Sequence, residues 1–242
     1  MIVTGIFTGA NITPKIKKER VRVIKILAAL FMLIDHIGMI FFPENYLLRI
    51  IGRVSMPLFA YCIARGFYFS EQKGTTGRYA RNLFLFAAVS QVPFTVLSLW
   101  IEGEFALNIG FTWLLSVCFM KALITEKKPL ALGCMCALIF LTALAAPIDY
   151  GLYGVLYPCV FYLFMYRAGK PQYAFVGMTV LYSLYVLTGG SPIQAFSIVA
   201  FPILIIAKRH DNKLSLPRRF FYWFYPLHIG VLLLLKGVIL SC

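Results

Sequence analysis

The stretch VIKILAALFMLIDHIGMIFF, residues 23–42, reads as a membrane-spanning helix, because a span needs about 20 mainly apolar residues. Near its far end it carries Asp35 and His36 side by side. An ionisable residue at the centre of a bilayer costs about 2.5–3.5 kcal/mol even on the mild insertion scale, and such residues line a protein interior or a polar pathway. The same twenty residues therefore set the fold class and raise the question of function.

The rest of the chain agrees with the first part of that reading. Of 242 residues, 61% are hydrophobic and 13% charged, and the mean hydropathy is +0.83, far from the usage of a soluble domain. A net charge of +14 would point to nucleic acid in a soluble protein. In a membrane protein it is read first as the excess of Lys and Arg that marks cytoplasmic loops, so no nucleic-acid partner is expected. The six cysteines, at 62, 118, 134, 136, 159 and 242, lie mostly inside apolar runs and lack zinc-type spacing, which fits small buried hydrophobes. The opening MIVTGIFTGANITP has neither a basic n-region nor a long apolar h-region, so no cleaved signal peptide is expected.

Nine stretches qualify as spans: 23–42, 47–69, 82–100, 105–121, 130–147, 151–166, 172–188, 192–207 and 220–240. Their connections alternate. KIKKERVR, EQKGTTGRYAR, KALITEKK, YRAGKP and AKRHDNKLSLPRR are basic, whereas PENY, IEGEFALN, APIDYG and LTGGSP carry no Lys or Arg. That alternation predicts a cytoplasmic N-terminus, with 1–22 as a basic cytoplasmic segment, and an external C-terminus. No hydrophilic stretch is long enough for a soluble domain and no internal repeat of the transporter type stands out. The expectation is an all-α, polytopic helical bundle, a single domain over 1–242.

At about 1.5 Å of rise per residue, Asp35 lies roughly 20 Å above the cytoplasmic face, and Arg53, descending on the next helix, reaches nearly the same level. An Asp35–Arg53 ion pair is the expected result, either as a structural pair that offsets two desolvation penalties or as part of a site. His36 points about 100° away from Asp35 and is free to face a cavity as a general base. Lys25 sits on nearly the same helix face as His36, within about 20° and roughly 16 Å below. It reads either as a snorkelling topology signal or as a cation at the cytoplasmic mouth of a path to the histidine.

The last helix, RRFFYWFYPLHIG, repeats the pattern. Arg218 and Arg219 begin it, and Tyr225 and His228 follow about 12 Å higher, with Pro226 freeing the carbonyl of Tyr222. RYARNLFLFAAVSQVPF places Arg78 and Arg81 at the inner boundary and Gln91 at mid-depth, where Gln is either a ligand contact or interhelical glue. Asn108, Asp149 and Gln194 stand at the outer mouth as acceptor contacts, with helix capping or solvation as the other reading of Asp149 and Gln194. No P-loop, GxSxG or metal-ligand spacing appears.

Taken in order, IKILAALFMLIDHIG, RIIGRVSMPLFAYCIARGF, RYARNLFLFAAVSQVPF, NIGFT, DYGLYG and FYWFYPLHIG resemble the TraX family. The Lys25-x10-His36 spacing is similar to the first-helix signature of the wider transmembrane acyltransferase group. The resemblance implies a multi-pass protein of the bacterial inner membrane that moves an acetyl group from cytoplasmic acetyl-CoA to an acceptor such as the N-terminal amine of a pilin-like protein. Lys25, Arg78, Arg81, Arg218 and Arg219 would then meet the phosphates of coenzyme A, with Gln91 near the thioester. His36, Asp35, Arg53 and His228 would carry the chemistry, with Arg53 or Gln91 on the oxyanion, and Asn108, Asp149, Gln194 and Tyr225 would meet the acceptor. The rival readings are an O-acyltransferase acting on a surface glycan or small molecule, and a proton-coupled transporter.

Overall fold

The structure is a computed structural model that describes residues 21–241 except 102, 126–127, 146 and 210–216. The basic segment expected before the first span lies, up to residue 20, outside the described residues, as does Cys242. Helices run in the order α1 (Arg22–Phe41), α2 (Tyr46–Gly52), α3 (Ser55–Gln72), α4 (Thr76–Ile101), α5 (Ile109–Ile124), α6 (Lys128–Ala145), α7 (Gly151–Phe161), α8 (Pro171–Leu187), α9 (Ala200–Arg209) and α10 (Arg218–Ser241). Among the described residues, four helical stretches are long and apolar enough to cross a membrane: Arg22–Phe41, Tyr46–Gln72, Thr76–Ile101 and Phe220–Leu240.

The bundle keeps an apolar core and also carries large apolar side chains on its surface. Val92 on α4, Leu187 at the end of α8 and Leu234 on α10 are 73%, 82% and 72% exposed, which suits a surface facing lipid. Asn108, Thr112, Ser116 and Ser197 are fully buried, and small polar side chains of this kind join segments where lipid tails supply no competing partner. α10 closes the bundle by packing against both α1 and α4.

The helices depart from the expected spans at four informative places. Tyr46–Gln72 is interrupted at Arg53 and Val54. Pro57 explains the break, since it offers no N–H to the carbonyl of Arg53 four residues back and its ring crowds that carbonyl. Residues 105–108, expected to begin a span, are extended: Leu107 pairs with Ile148 as an isolated bridge. Leu107 N–H donates to Pro147 O at 2.8 Å and Asp149 N–H donates to Leu107 O at 2.9 Å, which fastens the connections before α5 and α7 together. The 151–166 span is α7 followed by a π turn over Tyr162–Arg167, and the 192–207 span opens as a 3-10 helix over Pro192–Val199.

Candidate functional site

The break at Arg53 sets the first half of the site. Arg49 and Arg53, one turn apart, both reach Asp35 on α1. Arg53 Nη2 donates to the two carboxylate oxygens at 2.7 and 2.9 Å, and Arg49 Nη1 donates to Oδ2 at 3.0 Å. The carboxylate and Arg53 side chain are each 12% exposed, and that of Arg49 26%. Gly52 makes the approach possible, because a Cβ there would collide with the Asp35 side chain. Arg53 Nη1 also donates to Tyr150 Oη at 3.3 Å and Gln194 Oε1 at 3.4 Å. Tyr150 occupies the left-handed region, with φ 60°, a conformation that costs a residue with a Cβ about 1–2 kcal/mol. Strain of this kind persists where surrounding structure enforces it, and here Tyr150 is held by Arg53 and by the bridged connections before α5 and α7.

The second half is the meeting of α1 and α10. His36 Nδ1 lies 2.6 Å from His228 Nε2, and the rings stack with centroids 4.9 Å apart. His228 Nδ1 is 2.8 Å from the carbonyl of Phe224. A carbonyl only accepts, so His228 Nδ1–H is the donor there. For a neutral pair the remaining assignments follow: His228 Nε2 holds a lone pair and accepts from His36 Nδ1–H, which leaves His36 Nε2 as the basic nitrogen. Tyr225 stands edge-on to both rings.

Two cavities lie side by side here, and His36 lines the smaller of them. The larger, about 180 Å³, runs along the α1 face of Val21, Lys25 and Met32, and its other walls include Cys62, Arg65, Tyr79, Phe86 and Phe221. Its lining is mostly apolar and includes the cations Lys25 and Arg65, Lys25 lying 5.4 Å from the ring of Phe221. The smaller, about 50 Å³, is lined by Asp35, His36, Gly52, Ser55, Asp149 and Tyr150 among others. Met32, Phe59, Trp113 and Tyr225 wall both, so the cavity holding Lys25 and the cavity holding His36 share a partition.

The site residues expected from sequence divide clearly. Asp35, His36, Arg53 and His228 come together, Lys25 and Tyr225 line the cavities, Asp149 lines the smaller one, and Gln194 joins through Arg53. Gln91 does not join them. Its Oε1 accepts from Asn108 N–H and Asn108 Nδ2, and its Nε2 donates to Thr95 Oγ1 and Ala106 O. That uses the whole amide to hold the connection before α5, the interhelical glue foreseen as its other reading. Asn108 is fully buried and caps α5 by accepting from Gly110 N–H, while its Nδ2 also donates to Ala87 O. Arg78 and Arg81 are exposed on the first turns of α4, and only Tyr79 between them reaches the larger cavity. The side chains of Arg218 and Arg219 lie outside those described.

Sequence reasoning missed Arg49, Arg65, Trp113 and Tyr150. Arg49 carried a signal, since RIIGR places two arginines at i and i+4 on one helix face. Cys62 and Arg65 stand three and six residues beyond Phe59 on α3. Trp113 and the left-handed Tyr150 carried none, because both depend on contacts between distant segments.

Comparison with known proteins gives a match to the model of the TraX family, described as TraX protein, over residues 20–236. An uncharacterized protein of Rickettsia prowazekii (strain Madrid E) is 35% identical over 74 residues, 31% of this chain and 27% of that protein, so the similarity spans about a quarter of that relative. No solved structure matches.

Proposed function

The chain belongs to the TraX family across residues 20–236, and from that premise we propose that it is an acyltransferase of the bacterial inner membrane. It takes an acetyl group from cytoplasmic acetyl-CoA and passes it to an acceptor at the outer side, such as the N-terminal amine of a pilin-like protein. The observation that carries this reading is the His36–His228 contact at 2.6 Å beside the shared wall of two cavities, one of which is lined in part by Lys25 and Arg65.

Each part has a use in acyl transfer. Lys25 and Arg65 suit the phosphates of coenzyme A, and the apolar walls beyond them suit a pantetheine arm that delivers the thioester to the partition. His36 Nε2 takes the proton of the attacking amine as general base, and His228, anchored on Phe224 O, holds the imidazole in that tautomer. The Asp35–Arg49–Arg53 cluster positions α1 against α2, and through Tyr150 it fixes the outer wall, where Asp149 favours an approaching amine over a neutral hydroxyl. In this reading all nine helical stretches cross the membrane and the N-terminus is cytoplasmic, which puts Lys25 on the side where acetyl-CoA is found.

The test is transfer of labelled acetyl from acetyl-CoA to an amine-bearing peptide by the purified protein in liposomes, with a hydroxyl-bearing glycan in parallel. Transfer to the peptide supports the reading; transfer to the glycan alone moves the acceptor to the O-acyl class.

A further inference from the structure

We propose that the indole N–H of Trp113 is the hydrogen-bond donor that holds the acyl carbonyl oxygen during transfer, an inference that rests on the acyltransferase reading. Trp113, on the first turn and a half of α5, is 5% exposed. Its Nε1 is buried and has no hydrogen-bond partner among the described residues. A buried indole N–H is donor only and normally finds an acceptor, and leaving it unpaired costs about 1–3 kcal/mol. Of the buried side-chain atoms in that condition, it is the one on a residue that walls both cavities. Its place is the partition where a thioester coming from the Lys25 side meets His36.

Three other donors nearby are committed. Arg53 is taken up by Asp35, Tyr150 and Gln194 and is not among the residues lining the smaller cavity. Gln91 is used entirely within the fold. Ser55, which does line that cavity, spends its hydroxyl hydrogen on Ala28 O at 2.8 Å. Trp113 is itself held by Phe59, whose ring lies 5.6 Å away, so the indole is presented by packed neighbours rather than by a loop.

In the transfer step the acceptor nitrogen attacks the acyl carbon and gives its proton to His36 Nε2. The carbonyl π pair moves onto oxygen, where Trp113 N–H receives it. Collapse re-forms the C=O bond and breaks the C–S bond, and the coenzyme A thiolate leaves and takes up the proton from His36. A preorganised donor contributes most where charge develops in a site closed to water.

The experiment compares Trp113→Phe, which deletes the N–H, with the benzothiophene analogue of tryptophan placed at position 113, which keeps the shape and replaces N–H by sulfur. Acetyl transfer, acetyl-CoA affinity and thermal stability are measured for each. The inference predicts a fall in kcat of about 10²–10³-fold for both, with donor affinity within a few-fold of the parent. Parental kcat in the benzothiophene protein overturns it while leaving the acyltransferase reading intact. A protein whose parent form moves no acetyl to any acceptor overturns both together.

Discussion

His36 Nδ1 and His228 Nε2 meet at 2.6 Å across 192 residues of sequence. The contact joins the first helix to the last and, through His228 and Phe224 O, fixes which nitrogen of His36 is basic. In the proposed transfer His228 is therefore a positioning residue. His228→Phe, which cannot accept from His36 Nδ1–H, should lower transfer about 10–100-fold, the scale on which orienting partners of histidine act. His228→Asn supplies a carbonyl acceptor and should recover part of that loss. Rates for the two variants, with acetyl-CoA affinity unchanged in both, check the assignment; equal losses would mean that only packing matters there.

Asp35 is held by two arginines of unequal burial. Arg53→Ala leaves a buried carboxylate with half its partners and should cost about 3–5 kcal/mol of stability, whereas Arg49→Ala, at the more exposed partner, should cost about 1 kcal/mol or less. Gly52→Ala should resemble Arg53→Ala, because its new methyl occupies the space of the Asp35 side chain. Thermal unfolding in detergent gives the ranking.

The cation pair at the larger cavity predicts donor affinity. Lys25→Ala with Arg65→Ala should raise the KM for acetyl-CoA at least ten-fold with a smaller change in kcat. Arg81→Ala, exposed and off the cavity, should change neither. A ligand at 100 times its Kd stabilises the folded state by about 2.7 kcal/mol, so the stabilisation by coenzyme A should shrink in the double variant and persist in Arg81→Ala.

Much of this site was legible in the sequence, for physical reasons. An ionisable residue inside an apolar span demands a partner, so Asp35, His36, Arg53 and His228 announced themselves, and helical rise put Asp35 level with Arg53. Position along a helix does not tell which neighbours exhaust a side chain. Gln91 looked like a site residue and is consumed by Asn108, Thr95 and Ala106. The reverse holds for Trp113, which looks like any apolar core residue until its N–H is found without an acceptor. The break after Gly52 was carried by Pro57, whose effect falls four residues upstream of itself, and the Leu107–Ile148 bridge arises from two segments 41 positions apart with no local signal.

Orientation is open to direct measurement. The alternation of basic connections predicts that a reporter fused at Lys213 is cytoplasmic and that a membrane-impermeant thiol reagent on spheroplasts labels Cys242. An external Lys213 would reverse the sides of Lys25 and Asp149 and remove the donor route.

The most direct test of the central claim is His36→Gln, assayed for acetyl transfer from labelled acetyl-CoA in liposomes beside the parent protein. Glutamine keeps a polar side chain of similar reach but cannot take up and carry a proton. The account predicts a loss of about 10²–10⁴-fold in rate, with acetyl-CoA binding and thermal stability close to parental. Transfer at the parental rate by His36→Gln would contradict it.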